Sequence, residues 1–259
     1  MIELGRLTEI TDIRSVWADE AKDFTPWLAQ AENIEILSET IGIDLSVSDT
    51  EVSIGDFRAD IIAYETDTSR KVIIENQLED TDHDHLGKLI TYASGSGADY
   101  IVWIVRRVRD EHRAAIEWLN NHTDESIGFF LCEIKLFQIG DSLKAPKFEI
   151  IEKPNDWVKR NTGNRDRIVR AILPRIRDML LWEVVSAGDI LMVADTKEEA
   201  ELQADGMVIS SSGEKQSIQQ WLKNVYGWSA VETYKYTIHK KTGKTLSELR
   251  REYMDKMGN

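Results

Sequence analysis

Cysteine is almost missing from this chain of 259 residues. Cys132 stands alone and can form no internal disulfide, so no disulfide framework holds the fold, and a reducing cytoplasmic location is expected. Long apolar runs are missing too. The longest, Tyr100 to Val105, falls far short of the ~20 residues that a membrane-spanning helix needs. No basic-then-apolar leader opens the sequence, so export is not expected. Positive charge is scarce, with 32 Lys and Arg against 46 Asp and Glu. The resulting net charge of −14 argues against a general nucleic-acid coat protein. Internal repeats and low-complexity tracts are absent, which excludes solenoids and disordered scaffolds.

What is present suffices for a packed core. Hydrophobic residues make up 42% of the chain and include eight Trp, and the length suits one large or two modest domains. The charge is unevenly spread. Residues 1–160 hold 17 basic and 32 acidic side chains, whereas residues 161–259 hold 15 and 14. Lys159 to Arg177 carries seven basic residues and Lys235 to Arg251 six. That asymmetry, with the break at Pro154-Asn155-Asp156, predicts domains at 1–157 and 158–259 with different partners. Basic runs also serve as solvated helix faces.

Along the chain, Thr25 and Pro26 are placed to open a helix in which Leu28, Ile34, Leu37 and Ile41 keep helical spacing, with Gly42 as its stop. Leu45–Val47, Glu51–Ile54, Ala59–Tyr64 and Lys71–Leu78 read as a strand meander. A helix over His85–Ser94 follows, with Leu86, Leu89, Ile90 and Ala93 on one face. Tyr100–Val105 suits a central strand covered on both faces. Asp110 is placed to cap a helix reaching Leu119, and Ile127–Phe137 alternates as a strand. The pattern predicts an α/β fold, a mixed sheet flanked by helices. The second part predicts a small α+β domain. A basic helix spans Arg165–Trp182, a strand follows at Ile190–Val193, then a helical Thr196–Leu202 and a strand at Gly206–Ile209. A helix at Ser217–Tyr226, a strand at Tyr234–His239 and a final helix capped by Thr245 complete it.

The chemistry gathers where an apolar strand, Lys71 to Ile74, ends in Glu75-Asn76-Gln77. Side chains alternate along a strand, so Glu75 and Gln77 share a face and Asn76 points away. In a hairpin, Asp60 would lie beside Glu75. Two adjacent carboxylates repel unless a cation stands between them, and Mg²⁺ with oxygen ligands does that. The same spacing also fits two solvated strand ends.

"FRADIIA" followed by "VIIENQLE" resembles the PD-(D/E)XK nuclease superfamily. "FTPWL", "VSIGDFRADIIA", "IIENQLEDTDHDHLGKLITYA", "EHRAAIEWLN" and "FFLCEIKLFQIGDSLKAPKFEIIEKPNDW" extend the match to an uncharacterised prokaryotic family of that superfamily, over residues 17–157. The resemblance implies a restriction-endonuclease-like core and a Mg²⁺- or Mn²⁺-dependent endodeoxyribonuclease serving restriction or phage defence. A nuclease-fold protein that binds without cleaving is the alternative. It implies DNA and a second copy of the chain as partners. It implies that Asp60 and Glu75 are the metal ligands, that Gln77 occupies the position usually held by lysine, and that Glu39 adds a carboxylate, with Glu32 and Glu35 on the same helix. Gln77 cannot supply a lysine's charge but can orient a water. His83 and His85 are placed for proton transfer, phosphate contact or local hydrogen bonds. Lys88, one turn beyond His85, is a substitute for the absent lysine.

Arg106, Arg107, Arg109 and Arg113 are expected to meet the DNA backbone. Within residues 180–250, "ADGMVI", "SIQQWLKNVYGW" and "GKTLSELR" resemble the restriction–adenine-methylase-associated domain, which implies recognition of modified DNA. Arg165, Arg167, Arg170, Lys240, Lys241 and Lys244 are the basic contacts expected there. Trp221, Tyr226, Trp228 and Tyr234 are either base-stacking or core residues. "KKTGKT" at Lys240–Thr245 is no phosphate loop, because Ile238 stands where the first glycine is needed.

Overall fold

The computed structural model describes residues 4–55, 57–66, 70–123, 126–154, 174–228 and 231–257. The chain divides into two compact units, the first of Met1–Tyr64 and Arg70–Arg167 and the second of Glu65–Ser69 and Ile168–Asn259.

In the first unit β1 (Leu7–Glu9) is followed by a wide helical turn, Glu20–Phe24, that runs into α1 (Thr25–Leu28). Asp19 caps this stretch in place of Thr25: its carboxylate accepts the Lys22 N–H at 2.9 Å. Thr25 is inside the helix and buried. α2 (Ala31–Ile41) buries Ile34, Leu37 and Ile41, and Gly42 ends it at a φ of 71°, a left-handed conformation that favours glycine. The meander is β2 (Leu45–Ile54), one strand where two were expected, then β3 (Phe57–Glu65) and β4 (Lys71–Asp80). α3 (His83–Gly95), β5 (Tyr100–Arg107), α4 (Asp110–His122), β6 (Gly128–Ile139) and β7 (Ala145–Glu152) complete the unit.

The strands form one seven-stranded sheet in the order β1-β6-β5-β4-β3-β2, with β7 also on β6. β5 runs parallel to β4 and β6, whereas β3–β4, β6–β7 and β1–β6 are antiparallel. β5 is covered on both faces, as its unbroken apolar run predicts. Val102 and Ile104 pack with α1 and α2 residues such as Leu28 and Leu37. Ile101, Trp103 and Val105 pack with Leu89 and Tyr92 of α3 and Ile116 of α4. Helices therefore flank both faces of a mixed sheet.

Two expectations fail locally. Ile90 is 46% exposed, because the inward face of α3 is set by Leu89 and Tyr92. Asp110 is the first residue of α4, and Arg109 holds the cap position without a side-chain bond.

The second unit holds α5 (Ile176–Leu181), β8 (Ile190–Val193), β9 (Glu199–Leu202), β10 (Val208–Ser210) and β11 (Lys215–Gln216). α6 (Ile218–Tyr226), α7 (Thr233–Tyr236), β12 (Thr237–His239), β13 (Lys244–Thr245) and α8 (Leu246–Met257) follow. Its six strands form an antiparallel sheet ordered β11-β10-β9-β8-β12-β13. The expected helix at Thr196–Leu202 is instead strand β9. Ala200 and Leu202 are buried while Glu199 and Glu201 turn outward, a period of two that pairs with both neighbours. The expected strand at Tyr234–His239 begins only at Thr237, because Thr233–Tyr236 makes a helical turn. Of the expected basic helix, the described part is α5. Ser217 and Gly227 bound α6, and Thr245 and Glu248 cap α8 reciprocally at 2.8 and 3.1 Å.

Leu37, fully buried, and Ile90, exposed, separate core from surface. Leu37→Ala should destabilise the first unit by about 2–5 kcal/mol in urea denaturation. Ile90→Ala should stay within about 0.5 kcal/mol.

Candidate active site

The register Ile61↔Ile74 and Ile62↔Ile73 carries Asp60 to the side of Glu75. Ala59 packs in the α3–α4 layer, yet Ile61 packs in the α1–α2 layer, so regular alternation breaks at Asp60. The irregularity lets the Asp60 carboxylate accept the Asn76 backbone N–H at 2.6 Å.

Glu75, Asn76 and Gln77 are all buried, so none of them is a solvated strand end. Asn76 turns to the α1 face, where its amide nitrogen donates to the Thr25 hydroxyl at 3.0 Å. Glu75, 1% exposed, turns to α3: its Oε1 meets Lys88 Nζ at 2.7 Å and His85 Nε2 at 4.0 Å. Glu75 Oε2 is buried without a hydrogen-bond partner. Tyr92 stands beside it but gives its one hydroxyl hydrogen to the Arg58 carbonyl at 2.9 Å.

Burial pushes Asp60 up to about 8, and the charges of Glu75, Glu20 and Glu51 act in the same direction against the Asn76 N–H. Burial also raises Glu75, outweighing Lys88 and His85. Desolvation pulls Lys88 down, but Glu75, Asp60 and Glu20 outweigh it, so Lys88 holds its proton more firmly than a free lysine.

Glu20 is the carboxylate that the sequence reading missed. It sits in the helical turn before α1, where Oε2 accepts the Leu78 N–H at 2.6 Å. Glu39 is exposed on α2, whereas the carboxylates acting most strongly on Asp60 are Glu75, Glu20 and Glu51.

Gln77 donates through Nε2 to the Asp80 carbonyl at 2.8 Å and to Asp82 Oδ2 at 2.6 Å. Asp82 caps α3, accepting the His85 N–H at 2.8 Å, and its oxygens face His85 Nδ1 at 2.9 and 3.0 Å. Burial works to raise Asp82, but these bonds outweigh it and hold it below its ordinary value. His83 turns away from Glu75 to His112, with Nδ1 and Nε2 3.0 Å apart, and His112 Nδ1 meets the Thr81 hydroxyl at 2.7 Å.

The arginines are largely engaged. Arg106 and Arg107 both bind Asp80, at 2.7 and 2.5 Å, and Arg113 faces Glu117 and Glu152. Arg109 is exposed. Lys240 pairs with Glu199 and Lys244 with Glu252, while Lys241 is exposed. Arg165, Arg167 and Arg170 lie outside the described residues. Trp221 and Tyr234 are core residues, whereas Trp228, 45% exposed, stacks on Tyr226 beside Tyr236.

Among the described residues no group of three or more His, Cys, Asp or Glu side chains is arranged to hold a metal ion. The carboxylate pair still suits a hard divalent cation. Mg²⁺ commonly takes one or two carboxylates and keeps its remaining ligands as water and phosphate oxygen. Glu75 Oε2 offers a buried oxygen without a hydrogen bond, and Asp60 holds a proton that a bound cation would displace.

No family model matches the chain, and no curated protein matches it. Among solved structures, Pyrococcus furiosus SfsA in complex with Ca²⁺ is 16% identical over 46% of this chain, with a TM-score of 0.28. The matched region spans 58% of that protein. A likeness this small carries neither fold nor function across. No helix among the described residues is long and apolar enough to cross a membrane.

Asp60 gives the site a pH signature. Native Asp60 keeps a proton up to about 8 that the unfolded chain releases near 3.8. The native state thus binds the extra proton between those values, and its stability falls as pH rises through them. Thermal unfolding without divalent ions should show this fall, and Asp60→Asn should flatten it. At pH 8, Mn²⁺ should raise the wild-type midpoint and leave that of Asp60→Asn unmoved.

Proposed function

We propose that the chain is a metal-dependent phosphodiester hydrolase acting on DNA, of the PD-(D/E)XK type, with its reactive site at the β3–β4 edge. The observation that carries this reading is the pairing of half-buried Asp60 with fully buried Glu75, with Lys88 Nζ 2.7 Å from Glu75. Asp60 and Glu75 would hold Mg²⁺ or Mn²⁺. When bound, such an ion lowers the pKa of a water and stabilises charge on a phosphoryl oxygen.

The remaining roles belong to the chain. Lys88 keeps its proton, held first by Glu75, and brings to the carboxylate pair a positive charge that favours the approach of a phosphate. Gln77 has spent both amide hydrogens on Asp80 and Asp82, so its buried, unpartnered Oε1 would accept a hydrogen from a water admitted to the site. Glu20 fixes the end of β4 through Leu78 N–H. The second unit is read as the DNA-recognition part, with Lys241 and Trp228 as its exposed contacts. Restriction or phage defence, with action by two copies of the chain, is the setting that this reading gives.

The test incubates purified full-length protein with modified and unmodified duplex DNA and Mg²⁺ or Mn²⁺. Asp60→Asn and Glu75→Gln should each lower cleavage by at least about 100-fold, with the fold retained. Lys88→Met should lose a similar factor without abolishing Mn²⁺ binding. Equal, metal-independent cleavage by wild type and variants would remove the site. Cation and DNA binding without cleavage would favour the alternative, a nuclease-fold protein that binds only.

DNA affinity should depend on the second unit. Lys240→Ala/Lys241→Ala/Lys244→Ala should weaken binding and flatten its salt dependence by up to ~1 unit per lost contact. Unchanged affinity and slope would leave that unit as a partner interface.

A further inference from the structure

We infer that Asp82 is a positioning residue of this site, a single carboxylate that sets the orientation of both Gln77 and His85. The inference rests on the hydrolase reading above. It adds a residue that neither the motif nor its spacing indicates.

The argument is one of donors and acceptors. Both groups facing Gln77 Nε2, the Asp80 carbonyl at 2.8 Å and Asp82 Oδ2 at 2.6 Å, can only accept. The amide nitrogen must therefore face them, because a flipped amide would oppose oxygen to oxygen at both contacts. Its Oε1 consequently lies away from Asp82, buried and without a partner, on the strand face shared with Glu75. The same carboxylate stands 2.9 and 3.0 Å from His85 Nδ1, so that nitrogen carries the proton. His85 Nε2 is then left as the ring atom that faces Glu75, 4.0 Å away. One acidic side chain thus aims one polar atom of each neighbour at the reactive face.

Asp82 is itself held. The Thr81 backbone N–H donates to the Arg107 carbonyl, and the Thr81 hydroxyl accepts the Arg109 N–H at 3.0 Å. That leaves the hydroxyl hydrogen for His112 Nδ1 at 2.7 Å, and His112 Nε2–H for His83 Nδ1 at 3.0 Å. The residues on either side of Asp82 are therefore tied to α4 and to the residue before it, which holds the backbone that carries the carboxylate.

Asp82→Ser keeps an N-cap for α3 but loses the reach to Gln77 and His85. In the full-length protein with Mg²⁺ or Mn²⁺ it should lower kcat by about 10–100-fold with KM within about twofold. Asp82→Asn keeps one acceptor oxygen and should fall between it and wild type. It also serves as the variant should Asp82→Ser not fold. Combining Asp82→Ser with Gln77→Leu should lose little beyond the larger single effect, since the two act through one contact. Full kcat in a folded Asp82→Ser, or losses that simply multiply, would overturn the inference. If wild type does not cleave DNA at all, the hydrolase reading fails separately, and ¹⁵N shifts of the His85 ring still decide the positioning claim. A proton on Nδ1 in wild type, redistributed in Asp82→Ser, supports it, whereas a wild-type ring protonated only on Nε2 overturns it.

Discussion

A carboxylate buried on a strand must be met by a positive charge, a proton or a cation, because leaving it uncompensated costs several kcal/mol. Glu75 is in that position, and much of the first unit is arranged around it. Lys88 reaches back from α3 to its Oε1, so the ion pair fixes which face of α3 lies over β4. The neighbouring polar residues tie down other elements. Asn76 joins β4 to α1 through Thr25, and Gln77 joins it to the Asp80–Asp82 segment. A greasy strand thus ends in three polar residues that each anchor a different piece of chain.

The same requirement explains the local charge pattern. Burial first, and then the neighbouring carboxylates led by Glu75, make Asp60 retain a proton far above the usual carboxylate range. At the far end of β4 the order is reversed: Asp80 is flanked by Arg106 and Arg107, which hold it ionised against the effect of burial. Those two arginines brace the strand ends of β4 and β5 while staying exposed. The parallel register of β4 and β5 brings Asp80 beside Arg107, while Arg113 meets Glu117 of its own helix and Glu152 of β7.

Much of the fold was legible because it follows from periodicity and from end signals. The unbroken apolar run of β5, the stops at Gly42 and Gly227, and the Thr245 cap all act within a few residues of chain. What escaped depends on tertiary contact. Glu20 lies in a helical turn with no apolar period, and only the fold brings it to Leu78. Ile90 has helical spacing, but a spacing does not say which flank of the stripe turns inward. β9 was misread because a four-residue segment, Glu199 to Leu202, holds too little sequence to separate a period of two from one of 3.6. Asp60 and Glu75 were legible as a pair because a hairpin register is local. The full burial of Glu75 was not.

The polar end of β4 also shows why a glutamine can stand where the proposed motif expects lysine. A side chain at 77 looks onto the Asp80 carbonyl and the Asp82 carboxylate, at 2.8 and 2.6 Å from its nitrogen. A lysine there would be drawn to Asp82 and would neutralise the group that orients His85. Glutamine satisfies both acceptors without removing that charge and keeps an oxygen free. The positive charge is supplied instead from α3, one turn after His85, where Lys88 sits under the combined pull of Glu75, Asp60 and Glu20. Moving the charge from strand to helix leaves the electrostatics of the carboxylate pair similar while adding a neutral acceptor beside it. In the proposed hydrolase that division gives charge stabilisation to Lys88 and water orientation to Gln77, two tasks that one lysine would otherwise combine.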